Sequence, residues 1–325
     1  MQQVNNAGST QANHHTVTLV TSSKPSLTWI SPAEADVFQI TADALMPEII
    51  FEFEASFVGE YTWSWTIEWE AKASGLRERE RKDGVLRVFK DSDTFVSCEK
   101  SWRLDLNGKI LGGKVFVEVV IGDEKLSRSI SIKGQNPSPT QVTEYVETLE
   151  GLTGFDGLLA QETRTRHFIE LDGEPIVSFD QGYGIAQMTH PAPSYEHAWN
   201  WKANILAGSS LFKDKARIAK SYLGQGGRSY TQDQLRRETF SRWNGGAYHQ
   251  WDSQMGDWVR RKSILCDTAT GNIGWAMNKP QNVGKTESQL RERDKATYNR
   301  GTRGQSGEHA WSYNGVCYAD HVSDQ

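Results

Sequence analysis

Glu162 stands at the end of the apolar run Phe155 to Thr163, and an acidic stretch then leads into Gly182-Tyr183-Gly184-Ile185-Ala186-Gln187. Leu158 and Leu159 precede the glutamate by one helical turn, which puts apolar side chains beside its carboxyl. Desolvation disfavours the carboxylate anion, so a Glu in such surroundings stays protonated near neutral pH and can deliver a proton as a general acid. Glycines at 182 and 184 let backbone approach both the carboxyl and a bound molecule. Asp180, two residues before Gly182, is the candidate second carboxylate, able to position a water as base. Glu170, Asp172 and Glu174 are further acidic candidates, although Glu170 and Asp172 read better as a solvated face.

These residues need elements to hold them, and the chain changes period to supply them. From about His15 to Ile132 apolar residues alternate with a period of two. In the clearest run Tyr61, Trp63, Trp65, Ile67 and Trp69 share one face, and the tryptophans read as inter-sheet core rather than a sugar-stacking platform. Further strands are expected over Glu48 to Phe57, Val85 to Phe89, Thr94 to Cys98, Trp102 to Leu106, Lys114 to Ile121 and Leu126 to Ile132. The last two flank Gly122-Asp123-Glu124-Lys125, a hairpin signal. The charged run Arg77 to Lys82 is assigned no chemistry.

Gly134 to Pro139 breaks the alternation and reads as a linker. Ser138, Pro139 and Gln141 then form a helix start, with a capping box and proline at the first helical position. Helical spacing continues over Phe155 to Thr163 and Trp199 to Ala219, and from a second capping box, Thr231 with Gln234, to Trp243. Ser263 to Glu308 reads as a long polar excursion with one helix near Glu287 to Tyr298. The expected division is a tail at 1–15, a β-sandwich at 16–133, a linker at 134–139 and a second domain at 140–325.

Composition excludes several classes. A chain of 325 residues exceeds the usual single-domain size. No apolar run approaches the roughly 20 residues that span a bilayer, so membrane insertion is not expected. A net charge of -5 argues against a nucleic-acid partner. Val283-Gly284-Lys285-Thr286 lacks the glycine a phosphate loop needs at Lys279. Among the cysteines, Cys98 is expected in a buried strand, while Cys266 and Cys317 fit a disulfide or two separate buried thiols. His167, His190, His197 and His249 show no zinc-ligand spacing, and neither a metal nor a cofactor is expected.

Glu162-Thr163, the Gly182 to Gln187 turn, Asn204-Ile205 with Gly208, Trp243-Asn244-Gly245-Gly246 and Tyr318-Ala319-Asp320-His321-Val322 occur in an order that resembles the soluble lytic transglycosylase and goose-type lysozyme family. The resemblance runs from roughly Thr140 to the C-terminus. It implies a mainly α-helical lysozyme-like domain there and says nothing of the first half. In that N-terminal half the short alternating strands themselves favour an antiparallel Ig-like β-sandwich for binding or delivery. Together they make the expected fold an α+β two-domain protein. The resemblance also implies cleavage of the MurNAc-GlcNAc β-1,4 bond of peptidoglycan, with Glu162 as the acid. Thr163 would orient the acid, and Tyr183, Gly184, Gln187, Asn204, Trp243 and Asn244 would line or buttress the sugar site. Tyr318 would place its hydroxyl near the carboxyl. Trp243 stands where the family has Tyr, keeping a stacking surface and losing a hydroxyl. Thr189 stands where goose-type hydrolases carry an Asp, which leaves the base to Asp180. Hydrolysis is preferred because acidic candidates surround the turn, and the lytic transglycosylase route to 1,6-anhydro products is the alternative.

Met1 to Gly8 carries neither the basic start nor the apolar core of a secretory signal. Action in the bacterial periplasm or cell wall would then follow delivery by a secretion apparatus or phage lysis, with a carrier protein and a neutralising immunity protein as expected partners. A non-catalytic wall-binding module is the alternative from another class.

Overall fold

The computed structural model describes residues 27–56, 58–74, 84–300 and 310–324. The tail at 1–15, Phe57 and the run Arg77 to Lys82 lie outside them. Among the described residues the first half supplies eight strands: β1 (Leu27–Ser31), β2 (Val37–Ile40), β3 (Ile50–Ala55), β4 (Tyr61–Lys72), β5 (Val85–Ser97), β6 (Ser101–Arg103), β7 (Gly113–Ile121) and β8 (Glu124–Gly134). They form a three-stranded sheet ordered β1-β3-β6 and a five-stranded sheet ordered β2-β8-β7-β4-β5. Alternation on β4 buries Tyr61, Trp63, Trp65, Ile67 and Trp69, and Trp63 meets Trp29, Phe53 and Trp102 of the three-stranded sheet as well as Phe95 of β5. Val85 to Phe89 and Thr94 to Cys98 are not separate strands. They belong to one long β5 because every residue from Asp91 to Ser97 finds a partner on β4. Cys98 falls just beyond it and is exposed, not buried.

The second half interleaves helices and short strands: α1 (Pro139–Glu147), α2 (Phe155–Thr163), α3 (Tyr195–Trp199), α4 (Trp201–Leu223), α5 (Gln232–Trp243), β9 (His249–Asp252), β10 (Asp257–Arg260), β11 (Ile264–Cys266), β12 (Ile273–Ala276), α6 (Glu287–Asp294), β13 (Trp311–Tyr313) and α7 (Gly315–Ser323). Both anticipated capping boxes form, at Ser138 with Gln141 and at Thr231 with Gln234.

The expected fold class is corrected by three findings. Among the described residues helix and strand take similar shares, about 30% and 31%, and a mainly α-helical lysozyme-like C-terminal domain is not evident. The supposed polar excursion instead builds a β9-β10 hairpin and a sheet ordered β11-β12-β13. The N-terminal layer is not a purely antiparallel Ig-like sandwich either, because β2 runs parallel to β8.

The halves also share one core. Trp69 packs edge-on against Tyr183 and Trp199, with centroids 6.3 and 5.4 Å away, and Phe89 meets Tyr183 and Tyr195. Glu174, one of the acidic-loop candidates, fastens that loop to the five-stranded sheet by accepting from Trp69 Nε1 and Lys133 Nζ at 3.1 and 2.8 Å. The inward face of the sheet is longer than the three-stranded layer can cover, and aromatic residues of the second half cover the rest.

Candidate functional site

Glu162 is the penultimate residue of α2, which ends as Arg164 and Thr165 take left-handed conformations at φ 58° and 59°. Gln181 and Gln187, on either side of the glycine-rich turn, also have positive φ, at 65° and 47°. Non-glycine residues held there are strained, and strain of this kind gathers at sites whose surroundings over-determine the backbone. The concentration of four such residues between 164 and 187 marks this region on backbone evidence alone.

Two side chains converge on one oxygen of Glu162. Tyr318 on α7 donates its hydroxyl to Oε1 at 2.6 Å, and Trp243, the last residue of α5, donates Nε1–H to the same atom at 3.0 Å. Indole N–H is only a donor, so Oε1 acts as acceptor and the acid proton belongs on Oε2. Among the described residues no hydrogen-bond partner takes Oε2. Burial pushes the Glu162 carboxyl above the ordinary glutamate range, the donors Tyr318 and Trp243 pull it back in part, and the negative charge of Asp180 pushes it up again. Burial and the neighbouring Glu162 raise the Tyr318 hydroxyl well above its usual value, so it remains a donor.

The helices meet closely enough for this because of Gly315. A methyl at that position would lie 2.5 Å from the Ser241 carbonyl oxygen and 2.9 Å from Cα of Gly246. Trp243 is steadied from behind by Phe155 and Phe212.

The Gly182 to Gln187 turn packs under the end of α2 and is held by three buried side chains. Thr163 Oγ1 donates to the Ile185 carbonyl at 3.1 Å. Ile185 N–H donates to His167 Nδ1 at 3.1 Å, which fixes the tautomer: Nε2 carries the proton and donates to the Ala198 carbonyl at 2.8 Å. Ala186 N–H donates to Asn204 Oδ1 at 2.9 Å, while Asn204 Nδ2 donates to the carbonyls of Tyr183 and His197. Gly184 is required at φ +67°, since a methyl there would meet His167 Cε1 at 2.3 Å. His167 is wholly buried, and burial lowers it to about 4, with the Ala198 carbonyl opposing.

These positions revise several sequence expectations. Thr163 and Asn204 are buried and bonded to backbone, so they hold the turn rather than touch the acid or a substrate. Tyr183 is only 1% exposed, and its ring packs against Trp69 and Phe89 in the shared aromatic core. Gly184 is likewise buried, and Gln187 is half-buried with Nε2 donating to the Gly184 carbonyl at 2.8 Å. Asn244 caps α5 next to Trp243. Asp180 sits at an exposed loop tip, where its Oδ1 accepts from Ser178 Oγ at 2.5 Å. Glu170 pairs with Arg166 and Asp172 accepts from the Glu174 N–H, and of the acidic candidates Asp180 is the one whose charge acts on Glu162.

The direct bond from Trp243 was not anticipated, since its indole was read as a stacking surface. Glu238 was missed altogether. It is fully buried on α5 and accepts from Arg242 Nε, the backbone N–H groups of Tyr248 and His249, and His249 Nδ1 at 2.8 to 3.1 Å. A Glu four residues before an Arg on a helix was the available signal. Away from the site, a groove of about 380 Å³ on the outer face of the five-stranded sheet is lined by Glu34, Ser64, Thr66, Phe116, Glu118 and Ser129 among others, and includes none of the candidate residues.

No family model matches the chain, and no curated protein matches it.

Proposed function

We propose that the chain is a peptidoglycan muramidase that cleaves the MurNAc-GlcNAc β-1,4 bond with Glu162 as general acid. The observation that carries the reading is the asymmetric environment of that carboxyl. One oxygen is saturated by Tyr318 and Trp243, and the other is left to hold and deliver a proton. Peptidoglycan as the substrate rests on the ordered resemblance of the motifs around Glu162, Gly184, Trp243 and Tyr318.

In this reading Oε2–H protonates the bridging oxygen as the bond to the anomeric carbon breaks. The carboxylate left behind receives two hydrogen bonds that become charge-assisted only as the proton departs. They therefore stabilise the transition state more than the ground state. Asp180 then orients the water that attacks the anomeric carbon, which favours hydrolysis. Its charge is already felt at Glu162, and the Ser178 bond holds its carboxylate at the loop tip. The Cys266–Cys317 disulfide suits work in an oxidising compartment such as the periplasm or cell wall.

Mass spectrometry of the soluble products from purified sacculi tests the proposal. Wild-type protein is expected to release muropeptides with reducing ends and Glu162→Gln none. Exclusively 1,6-anhydro ends would replace hydrolysis by the lytic transglycosylase route. Binding of sacculi without release of fragments would replace catalysis by wall binding.

A further inference from the structure

Tyr318, which donates to Glu162, immediately follows a disulfide-bonded cysteine. Cys317 is joined to Cys266 at the end of β11, and α7 is tied down again by Asp320, two residues beyond Tyr318. Asp320 accepts from Tyr248 at 2.6 Å and from Arg260 Nε at 2.8 Å. Arg260 belongs to both anchors, because its Nη2 also lies 3.0 Å from Cys266 Sγ. The two residues differ in exposure: Cys317 is buried, whereas Cys266 is partly exposed. A guanidinium beside the sulfur of the more exposed cysteine stabilises its thiolate and makes that cysteine the reactive one of the pair. The Asp320 carboxylate lies 3.9 Å from the same sulfur and is itself ion-paired with both Arg260 and Arg237, at 2.8 and 3.6 Å.

We propose that Cys266 is a thiol–disulfide exchange site, and that its bond to Cys317 licenses the Glu162 site by fixing Tyr318. This inference rests on the functional reading above for its consequence, though not for its chemistry. The partner is a thiol–disulfide oxidoreductase carrying an oxidised cysteine pair. The Cys266 thiolate attacks one sulfur of that pair, forming a mixed disulfide and releasing the first partner thiolate. Cys317, its proton given to water, then attacks the Cys266 sulfur and displaces the second partner thiolate. Two electrons pass to the partner, and the two cysteines close their bond. A chain made in a reducing compartment would keep Tyr318 loosely held, and oxidation after export would lock it in place.

The test compares the oxidised protein, the same protein reduced with dithiothreitol, and Cys266→Ser/Cys317→Ser, with Cys98→Ser as a control for the exposed thiol. Two quantities are read: fragment release from sacculi, and NMR titration of the Glu162 carboxyl. Reduction is expected to lower release at least tenfold and change the Glu162 titration while the far-UV circular dichroism is kept. Reoxidation restores both, the double variant stays in the low state, and Cys98→Ser responds like wild type. Identical Glu162 titrations in the two redox states would overturn the proposal. So would loss of the whole dichroism signal on reduction, which would make the bond a general scaffold. If oxidised wild type releases no fragments, the muramidase reading fails, and the titration alone decides the redox coupling.

Discussion

Trp243 and Tyr318, 75 residues apart in the chain, donate to the same oxygen of Glu162. Both bonds favour the anion, so they oppose the burial that raises the carboxyl. In Tyr318→Phe one opposing donor is gone and the Glu162 pKa moves further up. The basic limb of the pH–rate profile, which reports loss of the protonated acid, is expected to move to higher pH. The maximal rate falls, because the departing proton leaves a less stabilised carboxylate. Measured kcat/KM against pH for the variant checks the direction, and an unmoved or lowered basic limb would count against the role given to Tyr318.

His167 gives the fold its own pH dependence. The imidazole is lowered from 6.5 to about 4 by burial, so between those values the unfolded chain binds more protons than the folded one. Stability is complete above about pH 6.5 and is lost as pH falls toward 4. The slope is about 1.4 kcal/mol per unit and the total about 3 kcal/mol. Urea unfolding at a series of pH values measures this. In His167→Gln this component of the slope should vanish, at the cost of lower stability at pH 7.

Gly184→Ala combines an unfavourable left-handed conformation with a methyl 2.3 Å from the His167 ring. A loss of about 2 to 4 kcal/mol is expected. Thermal unfolding reports the loss, and a change within about 0.5 kcal/mol, the range of an unremarkable surface substitution, would show that the turn is not clamped as described.

Glu238→Ala removes the shared acceptor of Arg242, His249 and two backbone N–H groups, leaving buried donors unpaired. About 3 to 5 kcal/mol of stability should be lost. Because Trp243 follows on the same helix, hydrogen exchange at the α5 terminus should rise as well.

What could be read from the residues was what local chemistry decides. The apolar spacing of Phe155, Leu158 and Leu159 places α2 at Phe155–Thr163, and both capping boxes are self-contained within four residues. The β4 aromatics announced a buried face by alternation alone. The strands of the second half were hidden because β11, β12 and β13 are three or four residues long. Their pairing partners lie as far apart as Ile273 and Tyr313, so no local period reveals them. Tyr183 was misplaced for a related reason: its ring is claimed by Trp69 and Phe89, more than ninety residues earlier. At the site the proximity of Glu162 and Tyr318 was expected only from the ordered motifs. The second donor, Trp243, was overlooked because a Tyr-to-Trp exchange was weighed as loss of a hydroxyl, not as gain of an indole N–H.

The central claim is that Glu162 holds its proton where an ordinary glutamate has lost it. Carbon-detected NMR titration of the Glu162 carboxyl in the oxidised protein measures this directly, with Glu162→Gln assigning the resonance. The midpoint is expected above the 4.5 of an unperturbed glutamate and should coincide with the basic limb of the activity profile. A midpoint at or below 4.5 would show a carboxylate stabilised by its two donors and unfit to act as the acid.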